Sequence, residues 1–509
     1  MKTPLPVFYS FPLFIPPFMT FFSNTNLFKI TFLFLIFIEL FSFFGWLMPE
    51  LGSVCFFIIL FLTLILSLCK LEYGLYIIFA ELFIGSKGYL FSFDSVSIRI
   101  GLFLVVMTVF LMQVIKKLRN KEKKRFDLNN NFIYLFLLVI IWGFIWGIIR
   151  GNNFGDVFLD FNNWLYFLLI FPILDTAKNS ENFIKNILSV LFACVIWIGI
   201  KSLFLLYIFS HQFVWALPEV YKWVRDTGIG EITSAGNGFY RIFIQSQIYS
   251  LLLFFILLPE IFDFKFLARK NIKKYLLLAV CLSTVILSFS RSYWVALVAV
   301  LLFYYFIILL LKTNFLDFLK LNAKIILVAI TSFVMVFAII NFPPKIAGSN
   351  LVDLLGQRAS ETEAAASSRI NQLKPLLKEI AKHPLVGSGF GTTATYVSDD
   401  PRIKGEYTTY AFEWGYFDMI LKFGLVGLGI YLYIIYHILR KLFNFKFLIL
   451  NFKISLKSQI QNNKNNYPLQ FGFGLALVAL LITNIFSPYL NHPLGIGFII
   501  LSSLIIYEK

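Results

Sequence analysis

The chain has 509 residues, of which 59% are hydrophobic and 14% charged, with 63 phenylalanines and a formal net charge of +17. So little polar surface cannot clothe a water-soluble core of this length, which excludes a soluble enzyme or binding domain. Nor does the positive charge signal nucleic acid, because Lys and Arg gather in short segments between apolar runs, as in Lys116–Arg125, Ala268–Lys274 and Arg440–Lys446.

In chain order, the N-terminal MKTPLPVFYSFPLFIPPF has several prolines and no small-residue cleavage site, and reads as an uncleaved cytoplasmic tail. A helix crosses the hydrocarbon core with about 20 apolar residues. On that rule the expected fold is an all-α integral membrane protein, a polytopic helical bundle of about 12–14 transmembrane helices. The expected spans centre on Ile30–Met48, Val54–Leu68, Tyr73–Ile84, Ile98–Ile115, Phe132–Ile149, Phe158–Leu174, Phe183–Phe209, Ile242–Ile261, Tyr275–Phe289, Trp294–Leu311, Ile325–Ile340, Glu413–Ile438, Gln470–Phe486 and Leu494–Ile506. The third and sixth are short. Residues 1–342 form an N-terminal bundle, 343–412 a long loop and 413–509 the C-terminal helices, all one membrane domain.

Charge orients the spans. With Lys116–Arg125 inside, Ala268–Lys274, Lys312–Lys324 and Arg440–Lys457 also fall inside, as the positive-inside rule requires. Both termini come out cytoplasmic. Arg150–Asp160, His211–Tyr240, Pro343–Phe412 and Ser487–Pro493 come out on the opposite side. The loop before Glu413 runs to about 70 residues, far beyond an ordinary connection. Ser360–Glu363 reads as a capping box, and Ile370, Leu373, Leu377 and Ile380 recur at helical spacing on one face. That predicts an amphipathic helix, kinked at Pro375, against the outer membrane surface or over a cavity. The chain shows no internal repeat, and the Asn/Lys-rich Gln461–Asn466 reads as a plain linker.

Three charged residues map to the outer boundary. Arg241 lies at the start of one span, Arg291 in the turn of the Tyr275–Leu311 hairpin, and Glu413 at the start of the span after the long loop. The plain alternatives are snorkelling to headgroups for either arginine and helix capping for the glutamate. Their common level favours function. Two guanidiniums bind a diphosphate bidentately, and a carboxylate can take a proton from a hydroxyl nucleophile. Together they suit transfer of a group from a lipid diphosphate to an alcohol.

The segment SFSRSYWVAL, the run SSRINQLKPLLKEIAKHPLVGSGFGT (Ser367–Thr392) and EWGYFDMILKFGLVG (Glu413–Gly427) follow in an order and spacing that resemble the O-antigen ligase and O-antigen polymerase superfamily of bacterial envelope glycosyltransferases. The resemblance covers roughly the C-terminal half. Ligases of that superfamily carry His-Asn where this chain has Glu413-Trp414, which leaves the acceptor more open than the donor and fits a polymerase better. The resemblance implies a GT-C-like fold in the bacterial inner membrane. It also implies a glycan donor on undecaprenyl diphosphate, transfer on the periplasmic face without metal or cofactor, and a growing glycan or lipid A-core as acceptor. Arg241 and Arg291 would then bind the diphosphate, Glu413 would be the base of an inverting displacement, and Arg369 would touch donor or acceptor sugar, its alternative being a solvated first-turn charge.

Other signals carry less. GSGFGT (Gly387–Thr392) lacks the Gly-Lys-Ser/Thr ending of a phosphate loop and reads as a tight turn after His383-Pro384. Asp399-Asp400 reads as an exposed turn, and His383, His437 and His492 have no zinc spacing. The four cysteines, Cys55, Cys69, Cys194 and Cys281, read as small hydrophobes. The rival function is a transporter or flippase of lipid-linked glycans or another amphiphile; it predicts repeats and broken helices, whereas the spans read as mostly uninterrupted. A membrane-anchored assembly protein is the third reading.

Overall fold

The computed structural model describes residues 25–120, 131–213, 216–236, 239–263, 269–310, 315–343, 364–398, 403–443 and 467–506. The N-terminal tail, the Ser360–Glu363 box, Asp399-Asp400 and Gln461–Asn466 lie outside the described residues. The protein is an all-α multi-pass membrane protein: among the described residues, eight helices are long and apolar enough to cross a bilayer, beside several shorter apolar ones.

The first two helices, α1 (Thr25–Leu47) and α2 (Pro49–Cys69), show why the chain is so rich in phenylalanine. Phe34, Phe37, Phe41, Phe57 and Phe61 are all exposed on their outer sides, a surface only lipid can cover. Since lipid tails are as apolar as the side chains, small residues set the helix contact: a Cβ on Gly45 would come within 2.8 Å of the Gly52 Cα. Helix α3 (Leu71–Ile84) follows, then a short antiparallel pair, β1 (Ser92–Phe93) with β2 (Val96–Ser97), and then α4 (Ile98–Arg119) and α5 (Asn131–Ile149). The sixth expected span is longer than its apolar run: α6 (Phe154–Leu165) continues through the 3-10 turn Tyr166–Leu169 into α7 (Ile170–Asn179). At the centre runs α8 (Phe183–Ser210), most of it buried, with Lys201 paired to Glu39 of α1 at 2.8 Å.

The expected span Ile242–Ile261 is corrected. An amphipathic helix, α9 (Leu217–Asp226), leads into an antiparallel hairpin, β3 (Gly230–Gly236) with β4 (Phe239–Ile244), in which Thr233 faces Arg241. The α-helical part is then Ile248–Leu257 (α10), flanked by the 3-10 turns Gln245–Gln247 and Leu258–Asp263. Gln247 explains the switch. Its side-chain carbonyl accepts from the Ile244 amide at 3.0 Å, and its amide donates to Ser202 Oγ and the Ile242 carbonyl, so one side chain satisfies the backbone between strand and helix. Ten helical residues rise only about 15 Å, and such irregular backbone is tolerated at membrane depth because α10 is buried throughout by protein.

The hairpin of α11 (Arg269–Ser288) and α12 (Arg291–Leu310) turns at Phe289-Ser290, as expected, and α13 (Phe315–Asn341) follows. Helix α14 (Ala364–Lys382) precedes the two-stranded sheet β5 (Ala394–Ser398) with β6 (Gly405–Thr409). The side of α14 that packs on protein and the side left outward can be told apart. Gln372 and Leu376 are buried, whereas Ile370 is 66% and Leu377 42% exposed. The helix runs on through Pro375 and docks by Leu376 onto Ala394, Phe412 and Leu421, a small core of its own. Last come α15 (Gly415–Leu442), α16 (Tyr467–Thr483) and α17 (Pro493–Ile505). Among the basic segments expected together, Lys117 pairs with Asp175 and Lys274 with Glu260 at the end of the bundle opposite Glu413.

Candidate functional site

The site is built around a broken helix. Helix α15 leaves helical geometry at Gly424, whose φ of 71° lies in the left-handed region. The chain from Pro384 to Gly389 lies in the break and takes over its backbone bonds. Leu425 and Val426 donate to the carbonyls of Pro384 and Leu385, and Ser388 and Gly389 donate to those of Leu421 and Lys422, at 2.7–3.1 Å. The tight turn expected after His383 is present, closed by Gly387 N to His383 O at 2.9 Å, but the glycines do more than turn. A Cβ on Gly424 would sit 2.1 Å from the Leu385 carbonyl oxygen, and one on Gly389 2.3 Å from the amide of Gly147. Neither position has room for a side chain. Phe390 then donates to Gly143 O, and His383 meets Arg150 at 2.5 Å, so the segment is wedged between α5 and α15.

The break leaves charge inside the bundle. Lys422, 1% exposed, pairs with Asp160 of α6 at 2.6 Å and donates to the carbonyl of Tyr410 at 2.6 Å. Asp160 also accepts from the Gly391 amide at 3.0 Å. One turn nearer the start of α15, Asp418 accepts from Asn491 Nδ2 at 2.7 Å. Asn484 presses against Gly415, where an added Cβ would meet its carbonyl oxygen at 2.4 Å, and its Oδ1 accepts from the Leu490 amide. Sequence reasoning missed this group because its members are separated in the chain and Lys422 stands inside an apolar run; the helical spacing of Asp418 and Lys422 was the available signal.

Glu413 ends the same segment. Its carboxylate pairs with the Nε of Arg369 from α14, and both side chains are partly exposed. Trp414 Nε1 donates to the Arg369 carbonyl at 2.8 Å, and the Glu413 amide reaches Gln372 Oε1 at 3.4 Å. The structure therefore brings together two of the residues singled out in the sequence, and it does so through α14. Arg241 is on strand β4 and not at a helix start: its Nε donates to Ser288 O at 2.9 Å and its guanidinium lies 5.0 Å from the centre of the Phe243 ring. That fastens Arg241 to the turn that carries Arg291.

The segment Asn484–His492 joins these two halves. Ser292 Oγ meets Ser487 Oγ at 3.0 Å, Tyr293 and Tyr489 pair through their hydroxyls, and Tyr489 also donates to Gln245 O at 3.0 Å. On its other side the rings of Phe486 and Trp414 are 5.7 Å apart. His492 caps α17 through Nδ1 to Leu494 N, and burial, with Arg99 and Lys87 nearby, pushes its imidazole well below the ordinary histidine value. Tyr410 is pushed up by burial and by the carboxylates of Asp160 and Asp156. Among the described residues, no three His, Cys, Asp or Glu side chains are placed to hold a metal ion. An apolar cavity lined by Ile133, Ile170, Ile434, His437 and Ile506 lies at the other end of α15 and has no part in this arrangement.

Chemically, the arrangement offers a carboxylate oriented by a guanidinium, and two further arginines around one turn. The same three segments carry the comparison with known proteins. Residues 276–432 match the family model described as O-antigen ligase, a stretch that contains Arg291, Arg369, Glu413 and Lys422 but not Arg241 or Asp160. No curated protein and no solved structure matches the chain.

Proposed function

We propose that the chain, whose residues 276–432 match the O-antigen ligase family model, moves an oligosaccharide from undecaprenyl diphosphate to an acceptor hydroxyl on the periplasmic face of the bacterial inner membrane, as a polymerase or ligase of surface glycan. The observation that carries this reading is the Arg369–Glu413 pair, joined to the Arg241–Arg291 turn through Asn484–His492. In the proposed reaction Glu413 takes the acceptor proton while the hydroxyl oxygen bonds to the anomeric carbon. The bond from that carbon to the diphosphate breaks, and the anomeric centre inverts. Undecaprenyl diphosphate leaves with the extra negative charge, and Arg241 and Arg291 stabilise it. Arg369 holds the carboxylate toward the site, and the incoming hydroxyl takes its place beside Glu413 as the lid formed by α14 shifts.

The glutamate in place of the family histidine supports a polymerase more than a lipid A-core ligase. Broken helices favour the rival transporter, and the described residues include one at Gly424 and a 3-10 interruption at Tyr166–Leu169 between α6 and α7. One experiment separates the readings. The purified full-length protein in lipid nanodiscs is given undecaprenyl-diphosphate-linked oligosaccharide, with and without lipid A-core. Chain growth supports the polymerase and transfer to lipid A-core the ligase. Donor left unchanged in both would sink the transferase.

A further inference from the structure

We propose that Lys422 is a positioning residue that fixes the backbone leading into Glu413, an inference that rests on reading Glu413 as the base. Strand β6 ends at Thr409 and α15 starts at Gly415, so Tyr410–Trp414 lie in neither a ladder nor a helix and their conformation has to be set from outside. Lys422 supplies the constraint at Tyr410, while Thr409 Oγ1 accepts from the Ala411 amide and Gln372 from that of Glu413. Its three ammonium hydrogens match three acceptors on three different segments: Asp160 Oδ2 at 2.6 Å, the Tyr410 carbonyl at 2.6 Å and the Thr392 carbonyl at 3.4 Å. Asp418 stays 4.0 Å away, beyond hydrogen-bond range, so the ammonium is spent on the backbone and on Asp160. The rings of Tyr410 and Phe412 close over it, their centroids 5.7 and 5.8 Å from Nζ.

The position is an expensive one for a charge. A buried ion pair gives little net stability over apolar residues of similar size, so stability alone does not account for a lysine here. What an apolar residue could not do is hold the Tyr410 carbonyl. Asp160 answers to the same need, since it compensates the ammonium and also accepts from Gly391, tying the glycine segment to the same point. Glu413 is three residues beyond Tyr410, and its side chain reaches Arg369 from this placement of the segment.

The test uses the full-length protein in nanodiscs with undecaprenyl-diphosphate-linked oligosaccharide. The double variant Lys422→Met/Asp160→Asn removes both charges together and so leaves no buried charge without a partner. It is expected to unfold near the wild-type temperature and to show amide exchange faster by about 10-fold or more across residues 410–414. Its kcat is expected to fall about 10- to 100-fold with donor KM within about 2-fold of wild type, because a misplaced base loses turnover before binding. Wild-type exchange over 410–414 would overturn the proposal. Faster exchange with unchanged kcat would also overturn it, and Glu413→Ala measured alongside assigns the failure: if that variant too is active, the base reading is at fault, and if it is inactive, the positioning is. Should the double variant not fold, Lys422→Gln/Asp160→Asn, which also strands no buried charge, keeps an amide donor for the Tyr410 carbonyl. Its exchange across residues 410–414 is expected to be slowed relative to the peptide-like rate and its kcat to fall less than about 10-fold, and a kcat loss of about 100-fold with wild-type exchange would overturn the proposal.

Discussion

Arg369 and Glu413, 44 residues apart in the chain, form an ion pair that joins helix α14 to the start of α15. With both side chains partly exposed, the pair contributes little to stability and is better understood as an orienting contact. Arg369 is therefore placed beside the carboxylate, and whether it also touches a sugar is decided by the variant below.

Replacing Glu413 by Ala is expected to lower kcat about 100-fold or more, the usual contribution of a positioned base. Arg369→Ala is expected to cost less, about 10-fold, and mainly in kcat. Steady-state transfer from the lipid-linked donor measures both. An Arg369→Ala variant that raised donor KM with kcat unchanged would return Arg369 to donor binding.

Arg241 and Arg291 flank one turn, and each is expected to stabilise charge on the leaving diphosphate. Losing either by substitution to Ala should cost roughly 3–4 kcal/mol in the transition state, about 10²- to 10³-fold in kcat. Arg241→Ala also loses the bond to Ser288, so its thermal unfolding is compared with that of Arg291→Ala. Normal turnover with normal protein level in both variants would remove the diphosphate assignment.

The glycines of the break are testable without any substrate. Gly424→Ala places a methyl group 2.1 Å from Leu385 O at a positive φ, where the conformation alone costs about 1–2 kcal/mol. Loss of folded protein in detergent is the expected readout. Gly429, in the same helix, has nothing within 4 Å of an added Cβ, and Gly429→Ala should be neutral or slightly stabilising.

His492 gives stability a pH dependence. Its value is depressed in the folded protein, so its neutral form is favoured by folding. That contribution is complete above the ordinary histidine value of about 6.5 and is lost as pH falls below it toward the folded value. The unfolding temperature should drop between pH 7 and pH 5 in wild type and drop less in His492→Gln. Equal pH dependence in the two proteins would show that other groups titrate.

Much of this protein follows from its sequence, for a physical reason. A bilayer demands long apolar runs and an asymmetric distribution of Lys and Arg, and both are properties of single segments. Hence α1, α2, α4, α8, α12 and α13 stand where the apolar runs place them, and the turn around Ser290 follows from their spacing. The order of the motifs around Arg291, Arg369 and Glu413 was legible too, because each is contiguous. What only the tertiary structure decided depends on partners distant in the chain. Gln247 converts an apparent span into strand and short helix by bonding to Ser202 on α8. Helix α14 buries Leu376 and leaves Ile370 outward because Phe412 and Leu421 receive that side of it. Lys422 is invisible as a functional residue until Asp160 and the Tyr410 carbonyl are brought beside it. Periodicity reports what lies within one turn of helix, whereas the burial of a charge is set by whatever the fold packs against it.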